Sequence, residues 1–131
     1  MAPAAPKSSN ISRPVMFFIA TEDGTLSNAD TLSNYQSLTG PKMLLSVIDA
    51  GHFSFSNGCP LGIGANDGCG TGTRANGETF TFLLDTRVHE ITNFYQTALF
   101  GYYLKRVTRY SEDLSAQPFS GDVTIERSGM P

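Results

Sequence analysis

The sequence predicts an α/β fold in which two parallel core strands are covered by helices. Apolar runs without alternation occur at 14–21 and 43–48, and such runs are typical of strands buried on both faces. A helical pattern lies between them, and a strand, helix and strand in this order form a right-handed crossover with parallel strands. A length of 131 residues fits a single domain.

The first strand, at 14–21, follows a leader at 1–13 that is rich in Pro, Ala and Ser. It ends at the turn signal Glu22-Asp23-Gly24. Ser27 is expected to cap the next helix, because Asp30 stands three residues later, as in a capping box. The apolar stripe of this helix consists of Ala29, Leu32, Tyr35 and Leu38.

Beyond the second strand, the glycine-rich segment 57–85 shows neither strand nor helix periodicity and is predicted to be a long ordered loop. Apolar residues then recur every three or four positions over 86–106, which predicts the longest helix of the chain. A short helical turn is expected near 110–116. In the tail at 117–131, residues 122–127 form either an edge strand or a frayed end.

Charge and hydropathy argue against several partners. Nine basic and twelve acidic residues give a net charge of −3, without the basic cluster that nucleic-acid binding needs. The apolar run at 15–20 is far shorter than the roughly 20 residues that span a bilayer. The N-terminus lacks a basic region followed by an apolar one, so no signal peptide is expected. No Gly-Lys-Ser/Thr phosphate loop is present, and no cofactor is predicted.

Cys59 and Cys69 lie ten positions apart in the flexible loop, where two thiols could meet. A disulfide, two unpaired thiols and a loop metal site that also uses Asp67 are the three interpretations. The spacing fits no zinc motif, so the metal interpretation is the weakest and no metal is predicted. A disulfide would favour a secreted or periplasmic location.

Asp23 and His52 follow the two predicted parallel strands. Such strands lie about 4.8 Å apart, and ligands of open α/β sheets bind outside their carboxyl ends. An aspartate that accepts a hydrogen bond from one imidazole nitrogen leaves the other nitrogen free to act as a base. The alternative is an ordinary Asp-Gly turn beside a structural histidine.

Glu22 and Asp49 are rival carboxylates, and His89 is a weaker rival to His52. Glu22 precedes the turn by one residue, and Asp49 is close to His52 along the chain. His89 lies on the long predicted helix, where a partly exposed position is expected. The rings of Phe53 and Phe55 flank His52 and predict an apolar lining, although either ring could instead belong to the core.

Five segments, in this order, resemble the C-terminal part of serine α/β-hydrolases. They are PVMFFIATEDGT at 14–25, AGHFSFSNGC at 50–59, GCG at 68–70, RVHEITNFYQTALFGYYLKR at 87–106 and TRYSEDL at 108–114. The branch most resembled is that of the dienelactone-hydrolase-like and platelet-activating-factor-acetylhydrolase-like proteins, near polyester hydrolases and cutinases. The resemblance implies the C-terminal half of an α/β-hydrolase fold, with Asp23 as triad acid, His52 as triad base and a disulfide beside the histidine loop.

The chain departs from that family because it contains no G-x-S-x-G nucleophile elbow. In the family the serine precedes the acid and the histidine, which places it upstream of residue 1 or on a partner. Ser54 and Ser56 follow His52 too closely to serve.

We therefore expect the acid-and-histidine half of an ester hydrolase that is inactive alone. Such a half leaves one face and one strand edge bare, so it should bind a complementary serine-bearing segment or self-associate. The alternative is a non-catalytic interaction module or inactive fragment of the same fold.

Overall fold

The computed structural model describes residues 11–131, so most of the predicted leader lies outside the described residues. The strands are β1 (Val15–Ala20), β2 (Lys42–Val47), β3 (Thr71–Thr73), β4 (Thr79–Thr81) and β5 (Val123–Ser128). The helices are α1 (Asn28–Ser37), α2 (Asp85–Tyr103) and α3 (Tyr110–Ser115), with one-turn 3-10 helices at His52–Phe55 and Cys59–Leu61. The predicted α/β class is confirmed, because these elements form a small mixed α/β fold.

The main sheet has the order β1-β2-β5. β1 and β2 are parallel, as the crossover predicted, and the pair Ala20↔Val47 aligns their carboxyl ends. β5 runs antiparallel to β2, so the segment at 122–127 is an edge strand and not a frayed tail. The sheet is therefore mixed, and β2 is its central strand.

The expectation of one bare face is wrong, because the two faces of the sheet are covered by different helices. Met43, Leu45 and Val47 of β2 are fully buried in the larger apolar cluster, which includes the α2 residues Val88, Ile91 and Tyr95. Leu44 points to the opposite face, where Ile19 of β1 and Tyr35 of α1 complete a smaller cluster. Burying a large apolar side chain contributes about 1.5–3 kcal/mol, so β2 and α2 form the stabilising centre of the chain.

The start of α1 follows the predicted cap. The hydroxyl of Ser27 accepts a hydrogen bond from the backbone N–H of Asp30 at 3.2 Å. This bond satisfies one of the amide donors left without a partner in the first turn. The following strand is tied to the end of α1 by the Lys42 ammonium, which donates to the carbonyl oxygens of Tyr35 and Leu38.

Two predicted boundaries are wrong. The segment 57–85 is not wholly loop, because it contains the β3–β4 hairpin, whose three-residue strands are too short to show periodicity. The long helix ends at Tyr103 and not at residue 106. Arg106 there adopts a left-handed φ of 56°, and Val107 N–H donates back to the carbonyl of Gly101, which reverses the chain.

No helix between residues 11 and 131 is both long and apolar enough to cross a bilayer.

Candidate active site

The loops that leave β1 and β2 lie side by side at the carboxyl edge of the sheet. Thr21 N–H donates to the carbonyl of Val47 at 3.0 Å, and Glu22 N–H donates to that of Ala50 at 2.9 Å. These bonds extend the pairing of β1 and β2 a few residues beyond the strand ends. Asp23, which follows Glu22, therefore lies next to the 3-10 turn that begins at His52.

Asp23 and His52 are in hydrogen-bond contact, with 3.2 Å between Oδ2 of the carboxylate and Nδ1 of the imidazole. The other carboxylate oxygen, Oδ1, accepts from the backbone N–H groups of Thr25 at 2.8 Å and Leu26 at 2.7 Å. The Asp23 side chain is 9% exposed and that of His52 is 32% exposed. A fixed, largely buried carboxylate therefore orients a solvent-accessible imidazole, and Nε2 is the nitrogen left for proton transfer.

A third residue, Asp67, bonds to both loops. Its Oδ1 accepts from the backbone N–H of Gly24 at 3.0 Å and of His52 at 2.8 Å, and its Oδ2 accepts from the Thr25 hydroxyl at 2.8 Å. Burial acts to raise the pKa of Asp67, but these hydrogen bonds and the nearby imidazole together lower the pKa below its ordinary value. The carboxylate is therefore charged at neutral pH.

The rival carboxylates of Glu22 and Asp49 bind Arg74 at the turn of the β3–β4 hairpin. One guanidinium nitrogen pairs with Glu22, and another pairs with Asp49 at 2.6 Å. The hydrogen bond to Asp49, with help from Glu22, raises the pKa of Arg74. The guanidinium also lies 4.3 Å from the centre of the Phe80 ring. In the described structure it is Asp23, and neither of these two carboxylates, that contacts the imidazole.

The serines near His52 have structural partners. Ser54 is fully buried; its hydroxyl accepts from Gly51 N–H and donates to the carbonyl of Gly68, both at 3.0 Å. The Ser56 hydroxyl donates to the carbonyl of Phe53 at 2.8 Å. These bonds tie the 3-10 turn to itself and to the neighbouring loop.

The two phenylalanines beside His52 lie in different environments. The Phe53 ring meets the imidazole edge to face, with 5.1 Å between the ring centres. Phe55 packs against Phe18 at the border of the larger apolar cluster. Both residues are half-buried, so each is partly exposed to solvent. His89 lies on α2 and, with Phe55, lines an open cavity of about 360 Å³ whose lining includes neither Asp23 nor His52.

The cysteine pair is a disulfide between Cys59 and Cys69, with 5.5 Å between the Cα atoms. This confirms the first interpretation of the cysteines and overturns the loop metal site, because bonded sulfur atoms are not thiolate ligands. Within residues 11–131, moreover, no group of three or more His, Cys, Asp or Glu side chains is placed to hold a metal ion. The disulfide closes the loop that carries Asp67.

No sequence pattern indicates a positioning role for Asp67 or any role for Arg74. The nearest signals are glycines that allow the loops to approach each other. A Cβ atom on Gly51 would overlap the backbone of Asp67 and Gly68, so only glycine fits before His52. Gly68 has a φ of +128°, which disfavours any other residue after Asp67.

No protein-family model, curated protein or solved structure matches the chain. Residues 11–131 form a small α/β fold with a hydrogen-bonded carboxylate and imidazole at the carboxyl edge of two parallel strands.

Proposed function

We propose that this chain supplies the acid and the base of a serine carboxylic-ester hydrolase, as the C-terminal half of an α/β-hydrolase fold. The observation that carries the proposal is the contact of the Asp23 carboxylate with Nδ1 of His52. Both groups stand at the strand ends where such sheets bind ligands. The five segments that resemble the dienelactone-hydrolase-like branch support the same activity.

The chemistry assigned to the pair is proton transfer. Nε2 of His52 accepts the proton of a serine hydroxyl while the serine oxygen attacks the ester carbonyl. Asp23 stabilises the imidazolium that forms. The carbon–oxygen bond to the alcohol then breaks, and the imidazolium gives its proton to the departing alkoxide, which leaves as the alcohol. The acyl group remains bonded to the serine oxygen as an acyl-serine. Water hydrolyses the acyl-serine by the same proton route, which releases the acid and restores the serine.

The serine belongs, in this proposal, to a complementary segment on a longer polypeptide or on a partner chain. The 131 residues contain no G-x-S-x-G, and the buried hydroxyl of Ser54 is committed to backbone partners. β1 is an edge of the three-stranded sheet, so a further strand can pair with it. The substrate is a small-molecule or polymeric ester, and the Phe53 ring offers an apolar contact beside the imidazole.

The proposed compartment is extracellular or periplasmic. A disulfide persists in oxidising environments and is rare in the reducing cytosol. The Cys59–Cys69 bond is the observation that favours this location.

The test begins with the coding DNA immediately upstream of codon 1, to identify an in-frame serine elbow. The chain joined to that segment, or mixed with a serine-bearing partner, is assayed with p-nitrophenyl butyrate and labelled with a fluorophosphonate probe. Asp23→Asn should lower kcat by about 10⁴-fold, because the imidazole is held in the wrong tautomer, and His52→Ala should lower it by about 10⁶-fold, because the base is removed. His89→Ala, the other histidine of the chain, is the matched control and should leave kcat unchanged.

A non-catalytic interaction module is the second candidate, favoured by the outer edge of β1, which pairs with no other strand among residues 11–131. It predicts that the complementary segment binds but that His52→Ala changes neither binding nor turnover. That result would overturn the hydrolase proposal. Fluorophosphonate labelling of the 131-residue chain by itself would also contradict it, because the proposed nucleophile is not in this chain.

A further inference from the structure

Asp67 has no part in the proton transfers above, yet its carboxylate joins the loops that carry the acid and the base. It bonds to the backbone of Gly24, the residue after Asp23, and to the backbone of His52 itself. These partners are 43 and 15 residues away along the chain. One carboxylate group thus joins two loops that are distant in sequence, at the position next to Asp23 and at His52.

The loop that carries Asp67 is itself held in place. Asp67 N–H donates to the carbonyl of Gly64 at 3.0 Å, and the carbonyl of Asp67 accepts from Phe53 N–H at 2.9 Å. The disulfide closes this loop between Cys59 and Cys69. The carboxylate is therefore presented from a constrained segment, which limits how far it can move with the loops it binds.

The bonds to Asp67 are of a strong type. A carboxylate that accepts from backbone N–H groups makes charge-assisted hydrogen bonds, which are roughly twice as strong as neutral ones. Asp67 accepts two such bonds and a third from the Thr25 hydroxyl. By comparison, the contact between Asp23 and His52 is a single bond of 3.2 Å. The contact between Asp23 and His52 is thus weaker than the link through Asp67.

We propose that Asp67 is a positioning residue that holds Asp23 and His52 at hydrogen-bond distance and so selects the imidazole tautomer with the proton on Nδ1. The inference rests on the proposed function for its catalytic consequence, although the tautomer does not depend on that function. Without Asp67, the loops keep the Arg74 bridge and the Glu22–Ala50 backbone bond but lose the anchor that lies next to Asp23 and His52, and Nδ1 moves away from the Asp23 carboxylate. A displacement of about 1 Å at such a contact can cost about 10²-fold in rate.

The experiment compares Asp67→Ala with Asp67→Asn in the oxidised 131-residue chain. Long-range ¹H–¹⁵N NMR reports the tautomer of the neutral His52 ring, and His89 serves as an internal reference. We expect Asp67→Ala to lose the preference for the Nδ1–H tautomer. Asp67→Asn should retain it, because the amide oxygen still accepts from the two backbone N–H groups. Asp30→Ala, which removes an exposed carboxylate of α1, should leave the tautomer unchanged.

A lowered melting temperature of Asp67→Ala with an unchanged tautomer would overturn the proposal and leave Asp67 a structural residue. If Asp67→Ala does not fold, Asp67→Glu replaces it, since the carboxylate then sits about 1.5 Å farther from the backbone. The same loss of preference is expected there, and a wild-type tautomer in Asp67→Glu would overturn the proposal.

In the serine-completed hydrolase, Asp67→Ala should lower kcat by about 10²-fold with little change in KM, and Asp67→Asn should recover most of the loss. The two proposals fail in different ways. If Asp67 controls the tautomer but His52→Ala leaves ester turnover intact, the hydrolase proposal is wrong and the positioning role stands. If His52→Ala abolishes turnover while Asp67→Ala changes neither tautomer nor kcat, the positioning role alone is wrong.

Discussion

The core between β2 and α2 and the loops around Asp23 and His52 are held together by different forces. Leu45 and Ile91 are fully buried among apolar side chains. The loops are joined instead by carboxylates, a guanidinium and a disulfide. Apolar burial responds little to pH or redox state, whereas carboxylate hydrogen bonds respond to acid and disulfides to reductants.

This difference separates stability from site geometry. The core contributes the apolar burial that makes the chain fold. Apolar contacts are not directional, so they do little to determine the conformations of the loops. The polar contacts contribute less free energy, but each joins particular atoms at a fixed distance. Changes in the core should therefore alter how much protein is folded, and changes in the loops should alter what the folded protein can do.

The largest expected effect comes from truncating a leucine in the core. Leu45→Ala should lower the free energy of unfolding by about 2–5 kcal/mol, since it removes a fully buried side chain and leaves a cavity. Urea denaturation followed by circular dichroism measures the change. Leu61→Ala is the matched control, because Leu61 lies on the disulfide loop and is 76% exposed. Its effect should stay within about 0.5 kcal/mol. Equal losses in the two variants would remove the distinction between core and loop.

The elements that the sequence predicted are those of the core. The apolar runs of β1 and β2 and the stripe of α2 repeat over enough positions to be recognised. The parallel crossover then placed the residues after β1 and β2 side by side, which is why the proximity of Asp23 and His52 could be predicted. Here local pattern and topology were sufficient.

The contacts that organise the loops could not be predicted in this way. Arg74 reaches Glu22 across 52 residues, and its position depends on a hairpin whose strands have only three residues each. The carboxylate of Asp67 reaches Gly24 across 43 residues through a loop that has no periodicity. No periodic pattern in the sequence predicts the course of this loop, because glycine conformations and the disulfide together determine it.

Removing the disulfide should have the next largest effect. The double variant Cys59→Ser, Cys69→Ser should lose roughly 2–3 kcal/mol of unfolding free energy, because the open chain gains conformational entropy when it unfolds. Dithiothreitol should destabilise the wild type to a similar extent and leave the double variant unchanged, as measured by urea denaturation. A reductant effect on the double variant, or none on the wild type, would contradict a stabilising role for this bond.

The smallest expected effect on stability is the acid response of Asp67, because this group remains partly exposed and solvent screens its interactions. Its pKa in the folded chain is lowered below the ordinary value of 3.8. The stability that its charged form contributes is therefore fully present above pH 3.8 and is lost as the pH falls through the folded pKa. Urea denaturation at decreasing pH should show a shallower loss of stability below pH 3.8 in Asp67→Asn than in the wild type. Asp30→Asn controls for the loss of one negative charge and should follow the wild type. If Asp67→Asn does so too, the hydrogen bonds to Asp67 hold the loops without favouring its charged form, and acid would then leave the contact between Asp23 and His52 intact until the core itself unfolds.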